Sequence, residues 1–137
     1  MRSQAEKAAT FRALHERPGA FIIPNPWEAG TAKILASIGF EAIATTSRGL
    51  AYMLGRASEN VSQAEVIDNC QDIVEATDLP VNADLMNCFA HKPEAAAETI
   101  SVAAEAGLAG GSIEDYTGDR ANPISEFELE LPHKILQ

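Results

Sequence analysis

Four short apolar runs, Ala20 to Ile23, Phe40 to Thr45, Pro80 to Asp84 and Leu108 to Ile113, are separated by stretches in which apolar residues recur at helical spacing. None of the four alternates apolar with polar residues, so each reads as a strand covered on both faces. Strands of that kind in strict alternation with helices imply a parallel sheet with right-handed crossovers. The chain is therefore α/β. Ser3 to His15, with Ala5, Ala8, Phe11 and Leu14 on one face, reads as a lead-in helix stopped by Pro18-Gly19. Trp27 to Ile38 carries Ile34, Leu35 and Ile38 together before Gly39 ends it. Ser62 to Glu65 forms a capping box, and the helix after it shows a stripe of Val66, Ile67, Cys70, Ile73, Val74 and Thr77. Pro93 suits the first position of a helix running to Ala106, with Gly107 as its terminator. A further capping box, Ser125 to Glu128, begins a helix that Pro132 interrupts. Two architectures fit: a small doubly wound domain, or the first half, about four βα units, of a (β/α)8 TIM barrel. A full barrel needs about 250 residues, so 137 residues favour the doubly wound domain on length alone.

The ends of the runs carry the chemistry. Pro80 to Asp84 delivers one carboxylate into the polar sequence Leu85-Met86-Asn87, and Leu108 to Ile113 delivers Glu114 and Asp115. In a parallel sheet, ligands gather beyond the carboxyl ends of the strands, so neighbouring strands would bring Asp84 and Glu114 together. Such a pair can hold a divalent metal. Pro24-Asn25-Pro26 makes a rigid exit after the first run, because prolines cannot continue a ladder. Thr46-Ser47-Arg48-Gly49-Leu50, rich in hydroxyls and backbone amides, reads as a loop that suits an anion.

Composition removes several function classes. Ten Lys plus Arg against 20 Asp plus Glu give a net charge of −10 without a basic cluster, so no footprint exists for nucleic acid or an anionic membrane. With 46% hydrophobic residues the chain can form a core, yet no apolar run approaches the roughly 20 residues that span a bilayer. A cytoplasmic protein is expected. Cys70 and Cys88 lack metal-ligand spacing; Cys70 reads as core and Cys88 as loop-borne. His15 and His133 read as surface residues, and His91 as part of a helix start.

Ile23 to Gly30, Ala44 to Ala51, Leu54-Gly55, Asn82 to Leu85 and Gly110 to Asp119 together resemble the isocitrate lyase and phosphoenolpyruvate mutase superfamily, in register from about Phe11 to about Phe127. The resemblance implies a (β/α)8 barrel, which favours the half barrel over the doubly wound domain. It also implies lyase or mutase chemistry that makes or breaks C–C or P–C bonds beside the carbonyl of a small α-keto or hydroxy acid. Mg²⁺, or Mn²⁺ in its place, would be the cofactor. By position, Asp84 resembles the direct metal ligand and Glu114 an acid that binds the metal through water. Ser47, Arg48 and Gly49 fall in the catalytic segment that holds the substrate carboxylate, and Asn25 and Trp27 resemble the pocket wall.

The chain departs from the family pattern in several places. From Ala83 at the end of the third run onward, close relatives usually read Ala-Asp-Leu-Glu-Asn-Gly-Phe-Gly; here Met86 replaces the acid, and Cys88 and Ala90 replace the glycines. Where many members have an Asp after Leu-Gly, this chain has Ser58 and Glu59. Leu129 to Gln137 reads as the end of a truncated domain, so residues 1–137 are expected to form one partial barrel. A half barrel leaves strand edges unpaired, which predicts a homo-oligomer in which two copies close one pseudo-barrel. The competing reading is an inactive fragment or a non-enzymatic α/β binding module, such as a receiver-like domain with Asp84 as acceptor. A receiver would show an acidic pair where this chain has Pro-Asn-Pro-Trp.

Overall fold

The computed structural model describes residues 1–57, 60–115 and 117. Ser58, Glu59, the loop from Tyr116, the Ser125 to Glu128 capping box and the tail from Leu129 lie outside these residues, Thr117 excepted. The element order is α1 (Gln4–Glu16), α2 (Ala29–Ser37), β1 (Ile43–Ala44), α3 (Ser47–Met53), α4 (Gln63–Ala76), β2 (Val81–Asp84), α5 (Pro93–Glu105) and β3 (Gly110–Ser112). The three strands form one parallel sheet in the order β1-β2-β3, with Ile43 opposite Val81 and Asp84 opposite Ser112.

Local chemistry starts most of the helices. Ser3 caps α1 reciprocally with Glu6, and Ser62 caps α4 reciprocally with Glu65, the latter as the sequence predicts. Pro93 occupies the first turn of α5, where its missing N–H removes no helical bond, and Gly107 (φ +90°) turns the chain out. In α2 a Glu does the work of a shorter cap: the Glu28 carboxylate accepts the N–H groups of Gly30 and of Thr31, the latter at 2.7 Å.

The core lies between the sheet and α4 and α5. Ile43, Val81, Ala83 and Leu85 meet Val66, Cys70 and Ile73 of α4 and Ala96 and Ala103 of α5, all buried. Burial of these apolar side chains drives the fold, at about 25 cal/mol per Å² of apolar surface removed from water. α1 is tied on by Lys7, 3% exposed, whose Nζ donates to the carbonyls of Val74 (3.2 Å) and Thr77 (2.8 Å) at the end of α4.

Two sequence expectations are corrected. Ala20 to Ile23 is not a strand: Ile22 is 72% exposed, and the segment meets β1 through the Ala44 N–H donating to Pro24 O at 3.0 Å. Pro24 and Pro26 have no N–H to return, so a reciprocal ladder cannot form. On α2, Ile34 (60%) and Ile38 (67%) are exposed, and the buried contact with the core is made by Ala32, with Leu35 partly buried. The Ile34, Leu35, Ile38 stripe is thus split, because small Ala32 lets α2 sit close to α4.

Candidate active site

The carboxyl ends of β1, β2 and β3 open on one side of the sheet. β1 leads through Thr45 into Thr46, whose hydroxyl accepts the Gly49 N–H (3.3 Å) and so caps α3. The sequence reading of Thr46 to Leu50 as a loop is therefore corrected to a helix start. A signal for it was present: a threonine before Leu50, Ala51 and Leu54 at helical spacing, with Gly55 (φ +68°) as terminator. Leu50 and Ala51 are buried, and that burial holds the short helix in place.

Asp84 ends β2, half-buried, and its carboxylate is held from three directions. Oδ2 accepts the Ser47 N–H (2.9 Å) and the Ser47 hydroxyl (2.7 Å), and Oδ1 accepts the Met86 N–H (3.1 Å). A carboxylate offers about four lone-pair positions, so one acceptor direction is left over. Charge-assisted bonds of this kind fix the group's orientation. Met86, Cys88 and Phe89 have φ values of 53°, 57° and 53°, so three non-glycine residues of the following loop adopt left-handed backbone. The glycine that the family pattern has in place of Cys88 would adopt this conformation without that cost. The loop is nonetheless locked: the Cys88 N–H donates to Leu85 O (2.8 Å) and the Thr99 hydroxyl to Cys88 O (2.7 Å).

Glu114 follows β3 and is exposed; its N–H donates to Met86 O at 2.6 Å, one residue beyond where the β2–β3 register alone would place it. The left-handed turn at Met86 accounts for the slip. Asp84 and Glu114 thus leave adjacent parallel strands, with the Met86 peptide bonded to the carboxylate of one and the main chain of the other. Among the described residues no group of three or more His, Cys, Asp and Glu clusters together.

Asn25 and Trp27 reach the same edge from the α2 side. Asn25 Nδ2 donates to Ala44 O (3.0 Å), pinning the Pro-Asn-Pro exit to the end of β1. Trp27, 45% exposed, meets Tyr52 edge-on with ring centroids 6.2 Å apart, and its carbonyl accepts from Asn69 (3.0 Å). Its indole lies against the buried Gly49, so Gly49 serves as the floor on which Trp27 rests. Arg48 is exposed and forms no ion pair among the described residues. Sequence reasoning missed Thr45, buried between β1, β2 and α4. Its Oγ1 accepts the Asp84 N–H (3.1 Å), a long-range contact for which the sequence carries no signal.

The cysteines are packing residues. Burial pushes the Cys70 thiol up to about 11 and raises that of Cys88, so both stay protonated. His91 is exposed two residues before α5, and His15 packs edge-on between Phe11 and Phe21.

Comparison with known proteins supplies the family. Residues 11–132 match the phosphoenolpyruvate phosphomutase family. A 2-methylisocitrate lyase of Bacillus subtilis (strain 168) is 32% identical, over 94% of this chain and 46% of its own length. The crystal structure of a lyase/mutase candidate from Burkholderia cenocepacia J2315 superposes with a TM-score of 0.90 at 52% identity, over 96% of this chain and 48% of that one. A 2,3-dimethylmalate lyase of the PEP mutase/isocitrate lyase superfamily shares the fold at a TM-score of 0.83 and 22% identity, over 99% of this chain and 48% of its own. The chain spans about half the length of the relatives it matches. Its parallel strands and covering helices are a partial (β/α)8 barrel, and the chain belongs to the phosphoenolpyruvate phosphomutase family.

Proposed function

We propose that this chain carries the metal-binding half of a cytoplasmic lyase or mutase site acting on a small α-keto or hydroxy carboxylic acid. The observation that supports this reading is the Asp84 carboxylate, fixed at the sheet's carboxyl edge by the Ser47 N–H and hydroxyl and the Met86 N–H, with one acceptor direction to spare. The donor set suits Mg²⁺ or Mn²⁺: hard oxygen ligands, few protein carboxylates, and room for water. Asp84 would bind directly and Glu114 through water. When bound, the ion supplies a positive charge that stabilises the enolate left when a bond α to a carbonyl breaks.

The chain's own residues supply position. Ser47 orients Asp84 with both of its donors, the N–H and the hydroxyl, and Arg48 offers hydrogen-bond donors to a substrate carboxylate. Gly49 leaves space for Trp27, whose ring and the pinned Asn25 form an apolar-to-polar wall that limits the size of the acid admitted. Family relatives named as a 2-methylisocitrate lyase and a lyase/mutase candidate agree with this class of chemistry.

Titration calorimetry with Mg²⁺ or Mn²⁺, with and without oxalate as an enolate mimic, tests the reading. Metal-dependent oxalate binding is expected for the native chain and is expected to be lost in Asp84→Ala. A folded native chain that binds neither metal nor oxalate would sink the proposal in favour of a non-enzymatic fragment or binding module.

A further inference from the structure

β1 and β2 separate at Thr45. The Thr45 N–H still donates to Asn82 O at 2.9 Å, continuing the parallel ladder set by Ile43 opposite Val81 and Ala44 opposite Asn82. In that register the next rung would carry the Asp84 N–H to the Thr45 carbonyl. It goes instead to the Thr45 side chain: the Asp84 N–H donates to Oγ1 at 3.1 Å. Thr45 is only 5% exposed, and the same oxygen accepts from the Cys70 thiol of α4 at 3.6 Å. A hydroxyl therefore stands in for a main-chain carbonyl at the last rung. That substitution releases the β1 backbone early, lets Thr46 become the cap of α3, and brings the Ser47 N–H and hydroxyl onto Asp84 Oδ2 at 2.9 and 2.7 Å.

We propose that Thr45 is the positioning residue of this site: its hydroxyl, by taking the Asp84 N–H, fixes both the Asp84 carboxylate and the point at which α3 begins. Thr45 touches no substrate and acts through Asp84 and Ser47. The effect on ligand affinity rests on the reading of Asp84 as a metal ligand; the effect on geometry does not. Thr45→Val keeps the branched shape but removes the acceptor. The Asp84 N–H must then go without a partner or draw the carbonyl of residue 45 back into the ladder, which pulls Ser47 away from the carboxylate. Thr45→Ser keeps the acceptor and loses only a methyl group.

Amide NMR on the whole chain, combined with Mn²⁺ titration in the presence of oxalate, separates the possibilities. In Thr45→Val the Ser47 and Asp84 amide resonances should shift and the Ser47 N–H should exchange with solvent faster. The metal dissociation constant should rise on the order of 10-fold, the usual cost of losing a group that orients a ligand. Thr45→Ser should restore native amide positions, exchange and affinity. Unchanged Ser47 and Asp84 amides in folded Thr45→Val would overturn the inference. So would a Thr45→Ser protein with displaced amides, a result that decides the matter even if Thr45→Val does not fold. Failure of the native chain to bind metal would instead overturn the proposed function, and the amide comparison would still judge Thr45.

Discussion

A methyl group at position 49 would have nowhere to go. Built on the Gly49 backbone, it falls 2.5 Å from Cδ1 and 2.7 Å from Nε1 of Trp27, and 2.7 Å from Cγ2 of Thr46. Two effects compete in Gly49→Ala. Alanine favours a helix over glycine by about 1 kcal/mol, whereas forcing a methyl into occupied space costs typically about 1–3 kcal/mol. Because Thr46 is held in the α3 cap and the Trp27 carbonyl is tied to Asn69, the clash should win. Urea unfolding should show a net loss of about 1–2 kcal/mol, and Trp27→Ala should cost less in the Gly49→Ala background than in the native one. A gain in stability would mean that the indole moves aside freely. The sequence placed Gly49 beside the substrate but could not show this role, since the contact spans more than twenty positions. Asp84 was legible because it ends an apolar run, a local pattern. Its partners were not: Thr45 and Ser47 lie 39 and 37 residues away.

Among the elements, local signals and tertiary packing divided the outcome. α4 is legible from its Ser62 to Glu65 capping box and apolar stripe, α5 from Pro93 at its start and Gly107 beyond its end, and β2 from an apolar run that ends in Asp84. α3 carries a cap and a terminator but only one turn or so of apolar spacing between them, and buried Leu50 and Ala51 rather than propensity hold its seven residues. The expected first strand failed for a reason written in the sequence, the two prolines, whose weight depended on which edge they faced. The attachment of α1 depends on a contact no pattern announces. Lys7 caps the last carbonyls of α4, where a cation is favoured by the helix dipole, even though burial lowers its pKa. Lys7→Met fills the same space without donors and leaves the Val74 and Thr77 carbonyls short of a partner. Stability should drop by about 1–3 kcal/mol, with α1 amides losing protection from hydrogen exchange before those of α4. Uniform loss across both helices would show that α1 does not depend on this tie.

Across the whole molecule, the acidic balance sets how the fold meets acid. The Glu65 carboxylate is drawn down to about 2 by the Ser62 N–H, with Arg56 adding to the effect. Backbone donors also lower Glu28 and Asp78, the N–H and hydroxyl of Ser3 lower Glu6, and the Arg17 guanidinium lowers Glu41. A carboxyl whose folded pKa is depressed contributes stability that is present above its unfolded value and disappears as pH falls through the folded one. Urea midpoints should therefore be level near neutrality and decline from about pH 4.5 toward about pH 2. Glu65→Gln should flatten part of that decline, and a midpoint that stays constant to pH 3 would contradict it.

The indole that rests on Gly49 is the only tryptophan in the chain. Half in water, in contact with Tyr52 and seated on the helix whose first residue holds Asp84, it makes the protein's ultraviolet emission a single-point optical probe of this edge of the sheet. A shift in its colour or intensity on adding an acid or a metal reports motion or occupancy there with no label attached, and its change during unfolding follows the parting of Trp27 from Gly49 and Tyr52 of α3.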